Sequence, residues 1–376
     1  MRKKVLLIAM LDSIHTARWL AQFRNSNVQF LLFPSSPHRR LVGDLEDLLD
    51  SNFEASYALV PGSRWFALPL WFLDKLFGNF FRGFLLSKVI SRFNPDFIHA
   101  LELQNAGYLL LRAARKAGQS RSKIIVTNWG SDIYWFGRFR KHRKRISELL
   151  RVADYYSAEC KRDIDLALKF GFKGEILPVL PNAGGFSPSL LEEPMSLVAN
   201  RRVIAVKGYH GWAGRAKIAL DALGAIREEL EGLSVVVYSA NYSVAKQARK
   251  LSRETKLQVT IHRKGKLTHE EMIKLFEEAK IYVGVSRSDG ISTSLLEAMA
   301  MGAIPVQTST SCCEEWFQDT GVVVHEISRK SIADAILKGL DLAKTQSNSD
   351  RNRQIIREKA SADKTFLAAK TFYGLD

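Results

Sequence analysis

Residues 283–305 read VGVSRSDGISTSLLEAMAMGAIP, and this stretch decides the fold of the second half of the chain. A β-rich run ends at Ser286, a polar loop with Asp289 and Gly290 follows, and an apolar helical run then stops at Gly302. The order of strand, glycine-bearing loop and helix predicts a parallel α/β unit. Because the first N–H groups of a helix are unpaired and partly positive, such a helix start is suited to an anion such as a diphosphate.

Two carboxylates flank the start of this helix, and they allow two interpretations. Asp289 lies in the loop and Glu297 lies one turn inside the helix, so both are able to accept hydrogen bonds from sugar hydroxyls beside a bound phosphate. The alternative is structural, because Ser294 and Glu297 have the spacing of a capping box, in which the Glu side chain accepts from a backbone N–H. The two residues alone leave both interpretations open.

The same stretch resembles a motif of the retaining glycosyltransferases of family 4, which have the GT-B fold. Asp289 and Glu297 stand at the spacing of the motif's two acids, although the family usually has Glu at the first position. The small and apolar residues of the motif are also present: Ala298, Met299, Ala300, Gly302 and Pro305. The resemblance implies an α/β protein with two Rossmann-like domains facing a cleft and a C-terminal helix that returns to the first domain.

Length and composition predict two globular domains. The chain has 376 residues, more than one core usually serves, and 46% of them are hydrophobic. Strands and helices alternate through both halves, and the Pro- and Gly-rich segment PNAGGFSP separates the halves. We therefore expect a first domain at residues 1–182 and a second at residues 183–349. The resemblance implies that the first binds the acceptor, with residues 350–376 packing back on it, and that the second binds the nucleotide sugar.

Charge and cysteine content limit the partners. A net charge of +16 favours an anionic partner such as a nucleotide phosphate, an acidic lipid surface or a nucleic acid. No recognised nucleic-acid-binding module is present, so nucleic acid is not an expected partner. The three cysteines show no metal-ligand spacing, and we expect neither a metal nor a cofactor. We expect a cytoplasmic protein that is either free or peripheral on the inner face of the plasma membrane.

Two basic segments in the first half allow contact with an acidic membrane surface. Residues 64–93 interleave aromatic and basic side chains, which is typical of a helix in a membrane interface. The alternative is a helix packed on the sheet with its basic residues in water, and Pro69 argues against a single straight helix. Residues 137–151 are densely basic, which fits either a solvated helix face or an acidic membrane.

The loop after the first predicted strand contains a candidate histidine. Residues 13–19 read SIHTARW, which resembles the S-x-H-T-x-R-W opening of some family 4 enzymes. His15 is therefore a candidate catalytic residue, although by position alone a single histidine is more often structural. Arg18 is a candidate contact for an anionic acceptor.

A second loop on the acceptor side departs from the family. Residues 128–134 read NWGSDIY, where relatives usually have a histidine directly before the glycine. Trp129 stands at that place, and Asn128 and His15 are the nearest replacements. Asp132 matches the aspartate of the family motif, so the resemblance implies a role for Asn128 and Asp132 on the acceptor side.

Further loops of the second domain are implied to bind the donor. In family 4 an Arg and a Lys in the glycine-bearing loop after residues 202–206 bind the diphosphate, so no metal is needed there. The alternative for these cations is an ordinary place on the surface. The donor-binding candidates are Lys207, Arg215, Lys217, Lys264, Gly265, Gly290, Ile291, Ser292, Thr293 and Ser294.

The resemblance implies a retaining transfer from a nucleoside-diphosphate sugar to a saccharide or lipid-linked saccharide, in bacterial surface polysaccharide synthesis. The products in view are lipopolysaccharide, O-antigen or capsule. Glu297 would bind the ribose, and Asp289 would hold hydroxyls of the donor sugar. Two alternatives stay open: a nucleotide-sugar epimerase of the GT-B fold, and a non-catalytic basic protein that binds membrane or nucleic acid.

Overall fold

A computed structural model describes residues 2–36, 41–50, 55–57, 67–114, 121–182 and 184–375. The chain divides into two units, one formed by Met1–Gly185 with Ala362–Asp376 and the other by Phe186–Ser361. Each unit has a parallel sheet with helices packed on it, because its strands are apolar runs that need cover on both faces. The expected fold class of two Rossmann-like α/β domains is confirmed.

The first unit contains a seven-stranded parallel sheet with the order β3-β2-β1-β4-β5-β6-β7. Its strands are β1 (Lys3–Ala9), β2 (Val28–Pro34), β3 (Ala55–Tyr57), β4 (Phe97–Leu101), β5 (Lys123–Thr127), β6 (Tyr155–Ser157) and β7 (Glu175–Ile176). Its first eight helices are α1 (Ile14–Ala21), α2 (Gly43–Asp50), α3 (Ala67–Leu76), α4 (Phe80–Phe93), α5 (Tyr108–Ala114), α6 (Ser131–Tyr134), α7 (Arg140–Val152) and α8 (Lys161–Lys169). The helices α4, α5 and α7 pack side by side on one face of this sheet.

The second unit contains a six-stranded parallel sheet with the order β10-β9-β8-β11-β12-β13. Its strands are β8 (Val203–Lys207), β9 (Ser234–Ala240), β10 (Gln258–Arg263), β11 (Ala279–Gly284), β12 (Ile304–Thr308) and β13 (Val322–Val324). The next eight helices are α9 (Pro188–Glu192), α10 (Ala216–Ala225), α11 (Tyr242–Thr255), α12 (His269–Glu278), α13 (Thr293–Ala300), α14 (Glu314–Phe317), α15 (Arg329–Leu342) and α16 (Gln346–Ala360). The last helix of the chain is α17 (Ala362–Thr371).

The aromatic and basic segment forms two helices, α3 and α4, and the break differs from the expected one. Pro69 lies in the first turn of α3, where a missing backbone N–H removes no intrahelical hydrogen bond. The chain turns instead at Gly78 and Asn79, with φ of 62° and 63°, a region that Gly and Asn adopt most readily. Arg64 and its two following residues lie outside the described ranges. Within the described ranges, no helix has both the length and the hydropathy to cross a bilayer.

The C-terminal segment returns to the first unit, as expected, and a buried polar network holds it there. The Tyr373 hydroxyl accepts a hydrogen bond from Trp19 Nε1 at 3.0 Å and lies 2.8 Å from His99 Nδ1. On its other side, His99 Nε2 lies 2.7 Å from Thr127 Oγ1. Burial lowers the pKa of His99 to about 3, so its ring is neutral. These contacts connect the end of the chain to β4, β5 and α1.

The helix α16 belongs to the second unit, whereas the sequence analysis placed residues 350–361 with the first domain. Ser349 Oγ donates to the Gly302 carbonyl at 2.7 Å, and Asn352 Nδ2 donates to the Thr320 carbonyl at 3.1 Å. These side chains are buried against the second unit, so the return to the first unit starts only at residue 362. The other boundary, between residues 185 and 186, lies in the Pro- and Gly-rich segment.

We predict that Tyr373→Phe lowers the free energy of unfolding by roughly 1–3 kcal/mol, because the buried Trp19 and His99 lose their shared partner. Urea denaturation followed by far-UV circular dichroism measures the change. Tyr242→Phe is the matched control, since Tyr242 is exposed and its change should stay within about 0.5 kcal/mol. Equal stability of the two variants would show that the network does not hold the C-terminal segment.

Candidate functional site

The second unit brings three predicted site residues together at the carboxyl edge of its sheet. Lys207 is the last residue of β8. Asp289 and Ser292 lie in the loop between β11, the strand next to β8 in the sheet, and α13. Lys207 Nζ donates to Ser292 Oγ at 2.8 Å and lies 3.6 Å from Asp289 Oδ2. Because β8 and β11 are adjacent parallel strands, their ends meet at one edge of the sheet. The result is a cation beside the start of a helix.

The surroundings of Lys207 keep its ammonium charged. Burial by itself would lower the pKa of Lys207, but the nearby charges of Asp289 and, less strongly, Glu297 raise it overall. The Lys207 and Asp289 side chains are both partly exposed. An anion entering from solvent can therefore reach a lysine that carries its charge at neutral pH.

The helix α13 starts in a way that rules out the capping-box interpretation. Its N-cap residue is Ser292, whose hydroxyl accepts from Lys207 and forms no side-chain cap. The Glu297 carboxylate is buried and lies 3.1 Å, through Oε1, from Nε2 of His269. Glu297 therefore faces the first residue of α12. By contrast, Thr268 and Glu271 do form a capping box, at the start of α12.

Two loop glycines fix the path of the chain after β8. A Cβ at Gly208 would lie 2.6 Å from the Tyr238 carbonyl oxygen, and a Cβ at Gly214 would overlap the Tyr209 carbonyl oxygen. Only glycine fits at these two places, so the backbone folds tightly against its neighbours. The loop packs beside the start of the α13 loop through an isolated bridge between Gly214 and Ser286.

The remaining cations of this edge have different surroundings. The Arg215 guanidinium donates to the carbonyl oxygens of Gly211 at 2.6 Å and Gly214 at 2.7 Å, so it holds its own loop. Lys217 lies in the first turn of α10 and is half-buried. Lys264 is exposed in the turn after β10, where Gly265 has φ of 73°. That turn leads directly into α12, whose first residue contacts Glu297.

The first unit brings His15 and Trp129 together. His15 lies in the first turn of α1, where its backbone N–H donates to the Ser13 side chain. Its ring centroid lies 5.3 Å from that of Trp129, in the loop after β5. The histidine of α1 thus lies beside the position at which family 4 relatives carry a histidine. Arg18 lies one helical turn further and is half-buried.

Asn128 and Asp132 are buried in a polar network below that loop. Asn128 Nδ2 donates to Asp163 Oδ2 at 3.0 Å, and Asn128 Oδ1 accepts from the Tyr156 hydroxyl at 2.6 Å. Asp132 accepts from the backbone N–H groups of Trp129 at 2.9 Å and Leu103 at 3.0 Å. Both side chains therefore hold the loop from within.

Glu102 is a residue that the sequence analysis missed. It follows β4 with φ of 85°, an uncommon conformation for a residue with a Cβ, and its carboxylate accepts from three backbone N–H groups. Burial raises the pKa of Glu102 to about 7, and burial together with the charge of Glu102 raises the pKa of Asp132 to about 8. An acidic residue directly after a buried strand was the available signal. His269, the partner of Glu297, gave no comparable signal.

Two family models match the chain. The model described as glycosyl transferases group 1 matches residues 200–341, and the model described as glycosyl transferase 4-like matches residues 73–160. The first match includes Lys207, Asp289 and Glu297, and the second includes Asn128 and Asp132. No curated protein sequence matches the chain with significance.

Solved structures with the same fold cover nearly the whole chain. HepE from Anabaena, in complex with UDP and glucose, is 15% identical with a TM-score of 0.71, and the match covers 99% of this chain and 100% of HepE. Sucrose-phosphate synthase from Thermosynechococcus elongatus is 14% identical with a TM-score of 0.71, covering 99% and 98%. The lipopolysaccharide outer core galactosyltransferase WaaB is 14% identical with a TM-score of 0.68, covering 99% and 100%. At this identity, the structural matches show the fold.

We predict that Asp132→Asn changes how stability depends on pH. The folded pKa of Asp132, about 8, lies above its ordinary value of 3.8, so the stability it contributes is fully present below pH 3.8 and is lost as pH rises to about 8. Because Asn does not ionise, the variant does not lose this stability as pH rises. Between pH 4 and 8, the variant should gain on the wild type by up to about 1.4 kcal/mol per pH unit.

Urea denaturation across this pH range measures the difference in unfolding free energy between variant and wild type. Altered hydrogen bonds to Trp129 and Leu103 add an offset to the difference but no slope. The exposed Asp319→Asn is measured in parallel as the control for the Asp-to-Asn change itself. A difference for Asp132→Asn that stays constant with pH would contradict the buried, protonated carboxyl group.

Proposed function

Because this chain is a family 4-like glycosyltransferase with the GT-B fold, we propose that it transfers a sugar from a nucleoside-diphosphate sugar to a saccharide or lipid-linked saccharide, with retention of the anomeric configuration. In this reaction, the bond between the sugar C1 and the diphosphate oxygen breaks, and its electron pair leaves with the diphosphate. A bond from C1 to an acceptor hydroxyl oxygen forms, and the hydroxyl proton passes to the released diphosphate.

The observation that supports this proposal most is the contact of Lys207 with Ser292 and Asp289 at the start of α13. Negative charge grows on the diphosphate as the C1–O bond breaks. A charged lysine and the first N–H groups of a helix stabilise that charge more in the transition state than in the ground state. Residues 292–294 would surround the diphosphate, while Gly290 and Ile291 would offer backbone N–H groups to the donor.

We assign the two carboxylates of the motif to the two sugars of the donor. Asp289 would accept hydrogen bonds from hydroxyls of the transferred sugar, in place of its contact with Lys207. Glu297 would accept from the ribose, with its carboxylate oriented by His269. The turn with Lys264 and Gly265 leads into α12, the helix that begins at His269. This turn would therefore contact the nucleotide base.

Arg215 and Lys217 have separate roles in this proposal. Arg215 shapes the loop through its bonds to the Gly211 and Gly214 carbonyl oxygens, so it acts on the donor through the backbone. Lys217, in the first turn of α10, would add a second positive charge near the diphosphate. These cations stabilise the leaving group, and we propose no resident metal or cofactor for the reaction.

We assign the acceptor to the loops of the first unit. His15, held beside Trp129, would take the place of the histidine that relatives have in that loop. Arg18 would meet an anionic group of the acceptor. Asn128 and Asp132 would act indirectly, because their buried side chains fix the loop that presents Trp129.

We place the reaction in bacterial surface polysaccharide synthesis, with lipopolysaccharide, O-antigen or capsule as the products considered. The fold similarity to the lipopolysaccharide galactosyltransferase WaaB supports this choice. An acceptor of this type is lipid-linked, so the enzyme would work on the inner face of the plasma membrane. HepE was solved with UDP and glucose, and we therefore take UDP as the first nucleotide to test.

We predict that one of UDP, GDP, ADP, CDP and dTDP raises the melting temperature of the wild type. Glu297→Ala should weaken its binding roughly 10- to 100-fold, since a ribose hydrogen bond to a charged acceptor contributes about 1.5–3 kcal/mol. Thermal shift titration measures both affinities. The matched control is Glu278→Ala, an exposed glutamate of α12. No shift with any nucleotide at low salt would refute the donor site, and a shift unchanged in Glu297→Ala would refute the ribose role.

We predict that Lys207→Met lowers kcat for donor turnover roughly 10²- to 10³-fold, because the growing diphosphate charge loses its cation. The rate is measured as release of the nucleoside diphosphate identified by thermal shift from nucleotide sugars that contain it. Lys246→Met, an exposed lysine of α11, is the control. An unchanged kcat would exclude the assigned role of Lys207. If the wild type converts the donor to an epimer without release of diphosphate, the enzyme is an epimerase instead.

A further inference from the structure

Two consecutive helices of the first unit expose a cluster of large apolar side chains. Single exposed apolar residues are ordinary in proteins, but contiguous groups of them mark interaction surfaces. The cluster lies on α3, α4 and the turn between them, and each member exposes between 41% and 66% of its surface: Phe72, Leu73, Leu76, Phe77, Phe80, Phe81 and Phe84. The Phe81 ring centroid lies 5.9 Å from that of Phe77 and 5.4 Å from that of Phe80, so the turn presents one aromatic group.

Buried polar contacts fix these helices to the sheet. The Asp74 carboxylate accepts from the backbone N–H groups of Phe81 at 2.9 Å and Arg82 at 3.2 Å, which ties the end of α3 to the start of α4. The buried Arg82 guanidinium donates to the carbonyl oxygens of Pro34, the last residue of β2, and of Ser35, the next residue, at 3.0 Å. Arg82, one of the basic residues of the segment 64–93, is therefore buried and anchors the helix pair, which holds the aromatic group in place.

A strongly basic helix lies on the same face of the sheet. Arg112 of α5 lies over the Phe80 ring at 5.5 Å, and Tyr108 of α5 contacts α7 through His142, at 2.9 Å, and Arg145, at 4.3 Å from its ring centroid. The helix α7 contains six Lys or Arg and one acidic residue. Four of its cations, in the first two turns, are exposed: Arg140, Lys141, Arg143 and Lys144.

We propose that the surface formed by α3, α4 and the first two turns of α7, here called the docking surface, binds an acidic lipid bilayer. The aromatic side chains of α3 and α4 would enter the interface between headgroups and acyl chains, where aromatic rings are favoured. The cations of α7 would contact acidic headgroups, each contributing about 1 kcal/mol. This inference rests on the proposed function, since a lipid-linked acceptor is reached from the bilayer surface.

The charge of the docking surface favours a bilayer over a second copy of the chain. Two copies of a cationic surface repel each other, whereas an acidic bilayer supplies both the opposite charge and an apolar layer. The basic residues of α7 also separate this surface from an ordinary apolar protein interface, in whose core charged residues are depleted. Insertion of the apolar side chains and attraction to the headgroups would each give weak binding alone, and together they give stable binding.

The test is co-sedimentation of the full chain with vesicles of phosphatidylcholine, with and without phosphatidylglycerol. The wild type should bind the acidic vesicles roughly tenfold or more tightly, and binding should weaken as salt screens the charges. The triple variant Phe72→Ser, Leu76→Ser, Phe77→Ser should lose roughly tenfold or more of this affinity. The triple variant Arg140→Glu, Lys141→Glu, Lys144→Glu should lose the preference for acidic vesicles.

Matched controls come from exposed residues that are not part of the docking surface. Leu367→Ser replaces an exposed apolar residue of α17, and Arg329→Glu with Lys330→Glu reverses two exposed cations at the start of α15. Both controls should bind vesicles like the wild type. Circular dichroism and the nucleotide-induced thermal shift, unchanged in every surface variant, show that each variant is folded and keeps its donor site.

Three results would overturn the docking surface. They are no sedimentation of the wild type with acidic vesicles at low salt, equal sedimentation of the wild type and the apolar triple variant, and a wild-type dimer that binds no vesicles and that the apolar triple variant converts to a monomer. If the wild type shows the nucleotide shift but binds no vesicles, the docking surface is refuted and the proposed function stands. If the wild type binds vesicles but shows no nucleotide shift, the proposed function is refuted and the docking surface stands.

Discussion

The contact of Lys207 with Ser292 and Asp289 depends on the parallel pairing of β8 and β11, and the donor-binding proposal depends on that contact. In a parallel sheet every strand ends at the same edge, so a lysine at the end of one strand meets the loop after its neighbour. The start of α13 lies at the same edge, and its first N–H groups add positive potential. One geometric constraint thus assembles a cation, two carboxylates and a helix start from segments far apart in sequence.

In the first unit, buried polar groups hold the C-terminal segment and a loop in place. Its sheet is completed by helices from both ends of the chain, and Tyr373 connects the last segment to α1, β4 and β5 through Trp19 and His99. A second network, with Asn128 and Asp132, holds the loop of Trp129 beside His15. Both networks place polar groups in a protein interior, where they are tolerated because each finds a partner. The exposed loops are thereby shaped by residues that substrates need not touch.

The sequence predicted much of the residue cluster at the carboxyl edge of the second sheet and less of the buried network in the first unit. Lys207 and Asp289 followed from strand–loop–helix order and motif spacing, which are local properties. The partner of Glu297 did not, because His269 lies on another helix and no spacing rule connects the two. The capping-box interpretation failed for a related reason: Ser294 and Glu297 have the right separation, but α13 begins at Thr293, with Ser292 as its N-cap residue. Glu102 was missed since its importance comes from burial and a positive φ.

The sequence by itself determined the fold class, the two-domain organisation and the motif of α13, because apolar periodicity, glycine positions and residue spacing are encoded locally. The tertiary structure decided which side chains are buried and which are exposed. Arg82 and Phe77 lie in one aromatic and basic segment, yet Arg82 is buried against carbonyl oxygens at the end of β2 while Phe77 faces solvent. Nothing within the segment separates them, since the carbonyl oxygens that bind Arg82 belong to residues distant in sequence and are placed only when the sheet forms.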